Sequence, residues 1–278
     1  MVLVLAILYM LLSTEKRFVD ALLLRGTAAA PLNISNYSLS NQITMPTDVL
    51  NPKLIIDVGM GYGSGLMAAL GGDPSLVLLG IEGYPTNFKT CYANMFKNDQ
   101  AERIPNIDST RSRVVLGSTL VSASEGEIRF FENESPLFGS VLETDTGGDW
   151  TTQTSGTTRL PTTTLAHVLA QIPTDYSLHY LNINVNEACQ VVIEGGGKAI
   201  SGFNMISVDC PRSDVGRMEW SVGRKGGCSR EALDFKMRRI LGFEFSYCGR
   251  SHCHYARSQL HLSAITHLFR QRDWETRP

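Results

Sequence analysis

The chain has 278 residues, 43% of them hydrophobic and 19% charged, with a formal net charge of −2. These values describe an ordinary globular protein of one large domain and exclude a disordered or collagen-like chain. The near-neutral charge offers no field for a polyanion, so no nucleic-acid partner is expected.

The chain opens on "MVLVLAILYMLL", an almost unbroken apolar run over residues 1–12, followed by Lys16 and Arg17. A bilayer-spanning helix takes roughly 17–25 residues, and a secretory signal carries its positive charge ahead of the apolar run. Residues 1–12 therefore read either as a helix docked on the domain or as a signal or signal-anchor bringing membrane association. Residues 1–52, with Pro31, Pro46 and Pro52, read as leader and stem. N-x-S sequons begin at Asn33, Asn36 and Asn133, a pattern that suits a lumenal surface.

The periodic part, residues 53–278, reads as one domain. "KLIIDVG" is a buried strand and "SGLMAAL" a short helix. "SLVLLGIEG" is a second strand. "PTNFKTCYANMFKND" places Phe88, Cys91, Tyr92 and Met95 at helical spacing behind Pro85, which suits a helix start. "SRVVLGSTLVS" and "GEIRFFEN" predict two more strands, the latter an inserted edge segment, and residues 133–160 read as an exposed Thr/Gly/Ser loop. "TTLAHVLAQI" is a helix with Thr162 to Thr164 as candidate N-caps. "LHYLNINVN", "EACQVVIEGGGKAI", "FNMISVDCP" and "SREALDFKMRRIL" alternate strand and helix, and "FEFSYCGRSHCHYARS" closes the chain as a hairpin. Such alternation predicts an α/β fold with a mostly parallel sheet. The six cysteines are scattered, which in a chain of this size predicts free, buried thiols rather than disulfides.

"IIDVGMGYGSG", residues 55–65, sets Gly59, Gly61, Gly63 and Gly65 directly after the first strand. In a parallel α/β sheet that strand-to-helix turn is where a ligand can lie against bare backbone. Asp57 ends the first strand, and Glu82, 25 residues later, ends the second, where a carboxylate can accept both ribose hydroxyls. A nicotinamide dinucleotide calls for G-x-G-x-x-G, whereas the third glycine here falls one position early. S-adenosylmethionine has no phosphate and needs only room for its methionine half, so the spacing favours it without excluding the dinucleotide.

Taken together, "IIDVGMGYGSG", "VLLGIEGYPTNFKTCYANM", "RVVLGSTLVSASEGEIRFF", "LPTTTLAHVL" and "LHYLNINVNEACQVVIEGG" resemble, in order and spacing, the FkbM-type methyltransferases over residues 53–256. The resemblance implies a Rossmann-like class I methyltransferase fold, with a seven-stranded, mostly parallel sheet and helices on both faces. It also implies S-adenosylmethionine as cofactor and O-methylation of a small-molecule or glycan hydroxyl acceptor. On that footing Asp57, Gly59, Gly61 and Gly63 form the first cofactor loop, Glu82 binds the ribose, and Gly117 and Ser118 lie near the adenine.

The fourth core strand departs from the pattern. Where the family reads like "LKIDVEGAE", this chain reads "LNINVNEAC", with Asn182, Asn184, Asn186 and Cys189 in place of charged residues. An amide can hold a hydroxyl but cannot take its proton. The candidate catalytic residues are then Asn184 for positioning and Glu187 or Asp209 as base, with His179 read as structural. A catalytically silent relative that acts as a binding protein is the alternative. Cys248, His252, Cys253 and His254 are ligand types for zinc, but alternation puts Cys253 on the opposite face from the two histidines, and no metal is expected.

Overall fold

A computed structural model of the chain describes residues 43–61, 70, 72–96, 112–133, 154–185, 188–210, 229–249, 252–259 and 261. The strands are β1 Lys53–Val58, β2 Leu76–Ile81, β3 Val114–Gly117, β4 Leu120–Ser122, β5 Gly126–Asn133, β6 Thr154–Thr164, β7 Ser177–Ile183, β8 Met205–Asp209, β9 Phe245–Cys248 and β10 His252–Ala256. The helices are α1 Pro85–Phe96, α2 Leu165–Ala170, α3 Cys189–Gly196, continued by a 3-10 segment Gly197–Gly202, and α4 Arg230–Phe235, continued by a π turn Lys236–Ile240.

Seven strands form the main sheet in the order β3-β2-β1-β7-β8-β10-β9. The pairs β1–β2, β2–β3, β1–β7 and β7–β8 are parallel, whereas β10 runs antiparallel to both β8 and β9. The order reverses beside β1: β2 and β3 build outward on one side, β7 and β8 on the other. The crevice at the carboxyl ends of β1 and β7 is thus the switch point, where such sheets take their ligands.

The central strands are covered on both faces, which is why β2, "LVLLGI", is buried at every position. One face carries the larger core, with Leu54, Ile56, Val58, Leu79, Ile81, Leu181, Ile183, Ile206 and Val208 packed against Leu165, Val168, Val192 and Ile193 of α2 and α3. On the other face Ile55, Leu78 and Val114 meet Cys91 and Met95 of α1. The helical spacing of Phe88, Cys91 and Met95 does bury one face of α1, while Tyr92 stays half-exposed.

Between β3 and β7 the chain adds a second sheet, β4-β6-β5. The edge placement of "GEIRFFEN" holds, but its partner was missed. Residues 154–160, expected in a loop, form the first part of β6, because an antiparallel register with β5 pairs Phe130 with Thr158 and Ile128 with Leu160. Threonine suits an extended strand as well as it suits a loop. β6 runs straight into α2, and Thr164 caps that helix by accepting a hydrogen bond from the His167 N–H at 3.0 Å.

Two further expectations are corrected. The stretch 43–52, read as stem, is packed on the domain. Ile43 and Met45 are buried in the larger core, the Ile43 N–H donates to Gln171 Oε1 at 3.0 Å, and the Tyr176 hydroxyl donates to the Pro46 carbonyl. The apolar residues alternate with Thr44, as an extended segment lying on a core requires. The cysteines are also not all free thiols: Cys248 and Cys253 form a disulfide across the β9–β10 hairpin, and Cys210 is disulfide-bonded. Cys91 and Cys189 are free and buried. Sequence spacing could not show that antiparallel pairing sets Cys248 opposite Cys253. Among the described residues no helix is long and apolar enough to cross a membrane, and residues 1–12 lie outside them.

Candidate functional site

The site is built where β1 ends. Gly59 has φ +84°, and its N–H donates to the Ile81 carbonyl at 2.8 Å. A Cβ at Gly59 would stand 2.1 Å from the Asn184 carbonyl oxygen, so only glycine lets the turn press against the end of β7. The side chain of Met60 folds down over Gly80, where a Cβ would meet its sulfur at 1.7 Å, and joins the small cluster with Ile55, Leu78 and Cys91. Gly61, at φ +60°, turns its N–H inward.

That N–H has a partner. Glu82 follows β2 directly and is buried; its Oε2 accepts from the Gly61 N–H at 2.8 Å and its Oε1 from the Tyr84 N–H at 2.9 Å. The Glu82 N–H in turn donates to the Gly117 carbonyl at 3.0 Å. One carboxylate thereby ties together the turns after β1, β2 and β3. Burial pushes Glu82 from 4.5 up to about 7; the Tyr84, Gly61 and Asn87 hydrogen bonds oppose the rise, and the charge of Asp57 adds to it.

Asp57 is buried on the same side of the turn and its Oδ1 accepts from Asn182 Nδ2 at 2.8 Å. The thiol of Cys91 is pushed far above its usual range by burial and by the charges of both Glu82 and Asp57. The two carboxylates therefore converge on one buried region beneath the glycine turn. Asn182, visible in the sequence only as a departure, is the residue that holds Asp57.

Ser118 is half-buried just past Gly117, at the mouth of the same crevice. Tyr84, not singled out from the sequence, stacks on Phe130 of β5 with ring centroids 5.1 Å apart, which brings the second sheet up to the crevice. Its only signal was its position in "GYP" after the acid. Gly63 and Glu187 lie outside the described residues.

On the acceptor side, Asn184 continues the ladder past β7, its N–H donating to the Val58 carbonyl at 2.8 Å, with an exposed side chain. Asp209 ends β8 half-buried; burial pushes its carboxyl from 3.8 up to about 7 against the pull of Arg230. His179 sits near the start of β7, beside Leu54 and Ile55 of β1, at the end of the sheet away from the crevice. Among the described residues no group of three His, Cys, Asp or Glu side chains could hold a metal ion.

No family model matches the chain, and no curated protein is significantly similar to it. Among solved structures, it is similar to the methyltransferase domain of bacterial CtHen1, at 12% identity and a TM-score of 0.39, over 74% of this chain and 91% of that one. A second structure of that domain gives 13% identity and a TM-score of 0.38, over 74% and 88%. Mitomycin 7-O-methyltransferase MmcR gives 11% identity and a TM-score of 0.38, over 74% of this chain and 49% of that one. The strand order itself, β3-β2-β1-β7-β8-β10-β9 with helices on both faces, is that of a Rossmann-like α/β sheet. Its sheet order, with β10 reversed between β8 and β9, is the expected seven-stranded, mostly parallel one.

Proposed function

We propose that the chain is an S-adenosylmethionine-dependent O-methyltransferase of the FkbM type, acting on a hydroxyl of a sugar or other small molecule. The observation that carries this reading is the pair of buried carboxylates, Asp57 and Glu82, under a glycine turn. A dinucleotide would bring a doubly charged pyrophosphate onto two acids, a repulsive arrangement in a site of low dielectric. S-adenosylmethionine instead brings a sulfonium, an ammonium, one carboxylate and two ribose hydroxyls, a net positive charge that two acids suit. Asp57 would take the ammonium of the amino-acid end. Each Glu82 oxygen keeps a lone pair beyond the one taken by the Gly61 or Tyr84 N–H, and with these it would accept from the ribose hydroxyls. When bound, the cofactor supplies an electrophilic methyl group that oxygen can accept once its proton is removed. Asn184, beside Gly59, positions the acceptor.

The silent-relative reading has its own support: both oxygens of Glu82 already carry backbone N–H partners, and Asn182 and Asn184 stand where the family has charges. Calorimetric titration with S-adenosylmethionine and S-adenosylhomocysteine separates the two. The wild type is expected to bind both, and Glu82→Ala to lose charge-assisted hydrogen bonds of about 1.5–3 kcal/mol, roughly a tenfold to hundredfold loss in affinity. Absence of binding by the wild type, or tight binding of NADH, overturns the proposal.

A further inference from the structure

The carboxyl rim of the sheet carries one polar row. Ile183 pairs with Val208, so the next step sets Asn184 beside Asp209, and Asp209 pairs directly with His252 at the start of β10. The row thus reads Gly59, Asn184, Asp209, His252, beginning at the glycine turn. Neighbouring strands lie about 4.8 Å apart, which sets Asn184 and His252 roughly 10 Å apart on either side of Asp209. Directly opposed residues of an antiparallel pair share a face with Cβ atoms about 4.5–5.5 Å apart, so Asp209 and His252 are neighbours on one face of the sheet.

We propose that His252, oriented by Asp209, is the base that takes the proton of the acceptor hydroxyl; this rests on the methyltransferase reading above. It answers the chemical difficulty left by Asn184, which cannot accept a proton. The acceptor's O–H bond breaks, the imidazole gains the proton, and the oxygen keeps the electron pair it offers to the methyl group. The proton leaves to water with the product.

The surroundings suit that role. His252 is half-buried at the rim, whereas His254, one step deeper on the same face, is fully buried with its Nδ1 2.6 Å from Ser207 Oγ. Burial and the charge at His252 push His254 down to about 3, so it stays neutral and does not repel a protonated neighbour. The rings of His252, His254 and Tyr247 stack nearly parallel, at 6.2 Å between the histidines and 6.3 Å to the tyrosine. Burial raises the Asp209 carboxyl to about 7, and Arg230 of α4, which donates to the Cys210 carbonyl at 2.9 Å, opposes that rise. The backbone is pinned as well: the His252 carbonyl accepts from the Gly249 N–H at 2.9 Å, and its neighbour Cys253 is tied to Cys248. A base held on a rigid hairpin keeps its geometry without reorganising.

Two readouts on the full chain test this. Histidine NMR titration should show the His252 pKa falling by about one unit or more when Asp209→Asn removes the opposed charge; an unchanged titration overturns the pairing. Methyl transfer across a panel of sugars and phenols should fall by about 10²–10⁴-fold in His252→Gln, with cofactor affinity by calorimetry unaltered and turnover of His252→Ala partly restored by imidazole. Full turnover in His252→Gln overturns the base assignment. Absence of cofactor binding by the wild type would instead overturn the methyltransferase reading, an outcome the titration does not depend on.

Discussion

Replacing Glu82 by glutamine removes a charge without removing its shape, and its effect on stability should depend on pH. Burial holds the Glu82 carboxyl at about 7 in the folded protein against 4.5 in the unfolded chain. At 1.36 kcal/mol per pK unit that difference amounts to roughly 3 kcal/mol. Because the folded value is the higher one, the folded protein holds the proton more tightly. The contribution is therefore complete below 4.5 and is lost as pH rises through about 7. Glutamine does not titrate, but its amide group can accept only one of the two N–H donors, Gly61 and Tyr84, that Glu82 satisfies. The unpaired donor costs about 1–3 kcal/mol. Urea unfolding followed by circular dichroism should therefore find Glu82→Gln the less stable protein at pH 5. At pH 8 the gap should have narrowed or reversed, by about 2–3 kcal/mol relative to pH 5. Asp209 titrates in the same direction, but it does so in both proteins and cancels in the difference. An equal gap at the two pH values would refute the claim that Glu82 is a buried, proton-binding carboxyl.

Gly59→Ala places a side chain at φ +84° and 2.1 Å from the Asn184 carbonyl; more than about 2 kcal/mol of stability should be lost, and an unshifted thermal melt would contradict the geometry. Ile43→Ala and Met45→Ala each delete a side chain that is 6% exposed in the larger core. Each should cost about 2–4 kcal/mol, and a chain begun at residue 53 should melt below one begun at residue 40. Equal melts would return residues 43–52 to the status of a stem.

Much of the architecture was legible because its signals are local. Continuous apolar runs mark strands buried on both faces, as in "KLIID" and "LVLLGI". Helical spacing marks the covered face of α1, and Thr164 and Ser229 cap their helices as their side chains allow. The glycines directly after a buried strand drew the reading to the carboxyl end of β1, because glycine there is costly without a reason.

What the sequence alone determined, then, was the alternation of elements and the α/β class, both consequences of neighbours within a few residues of one another. Only the tertiary structure decided which distant residues meet. It paired "GEIRFFEN" with a threonine-rich stretch that propensity cannot tell from a loop, and it drew Ile43 and Met45 onto the core. It set Asn182 against Asp57 at a separation of 125 residues, and His252 beside Asp209. Register and strand order create those contacts, and both are settled by burial of the whole sheet at once, a condition no local window of residues contains.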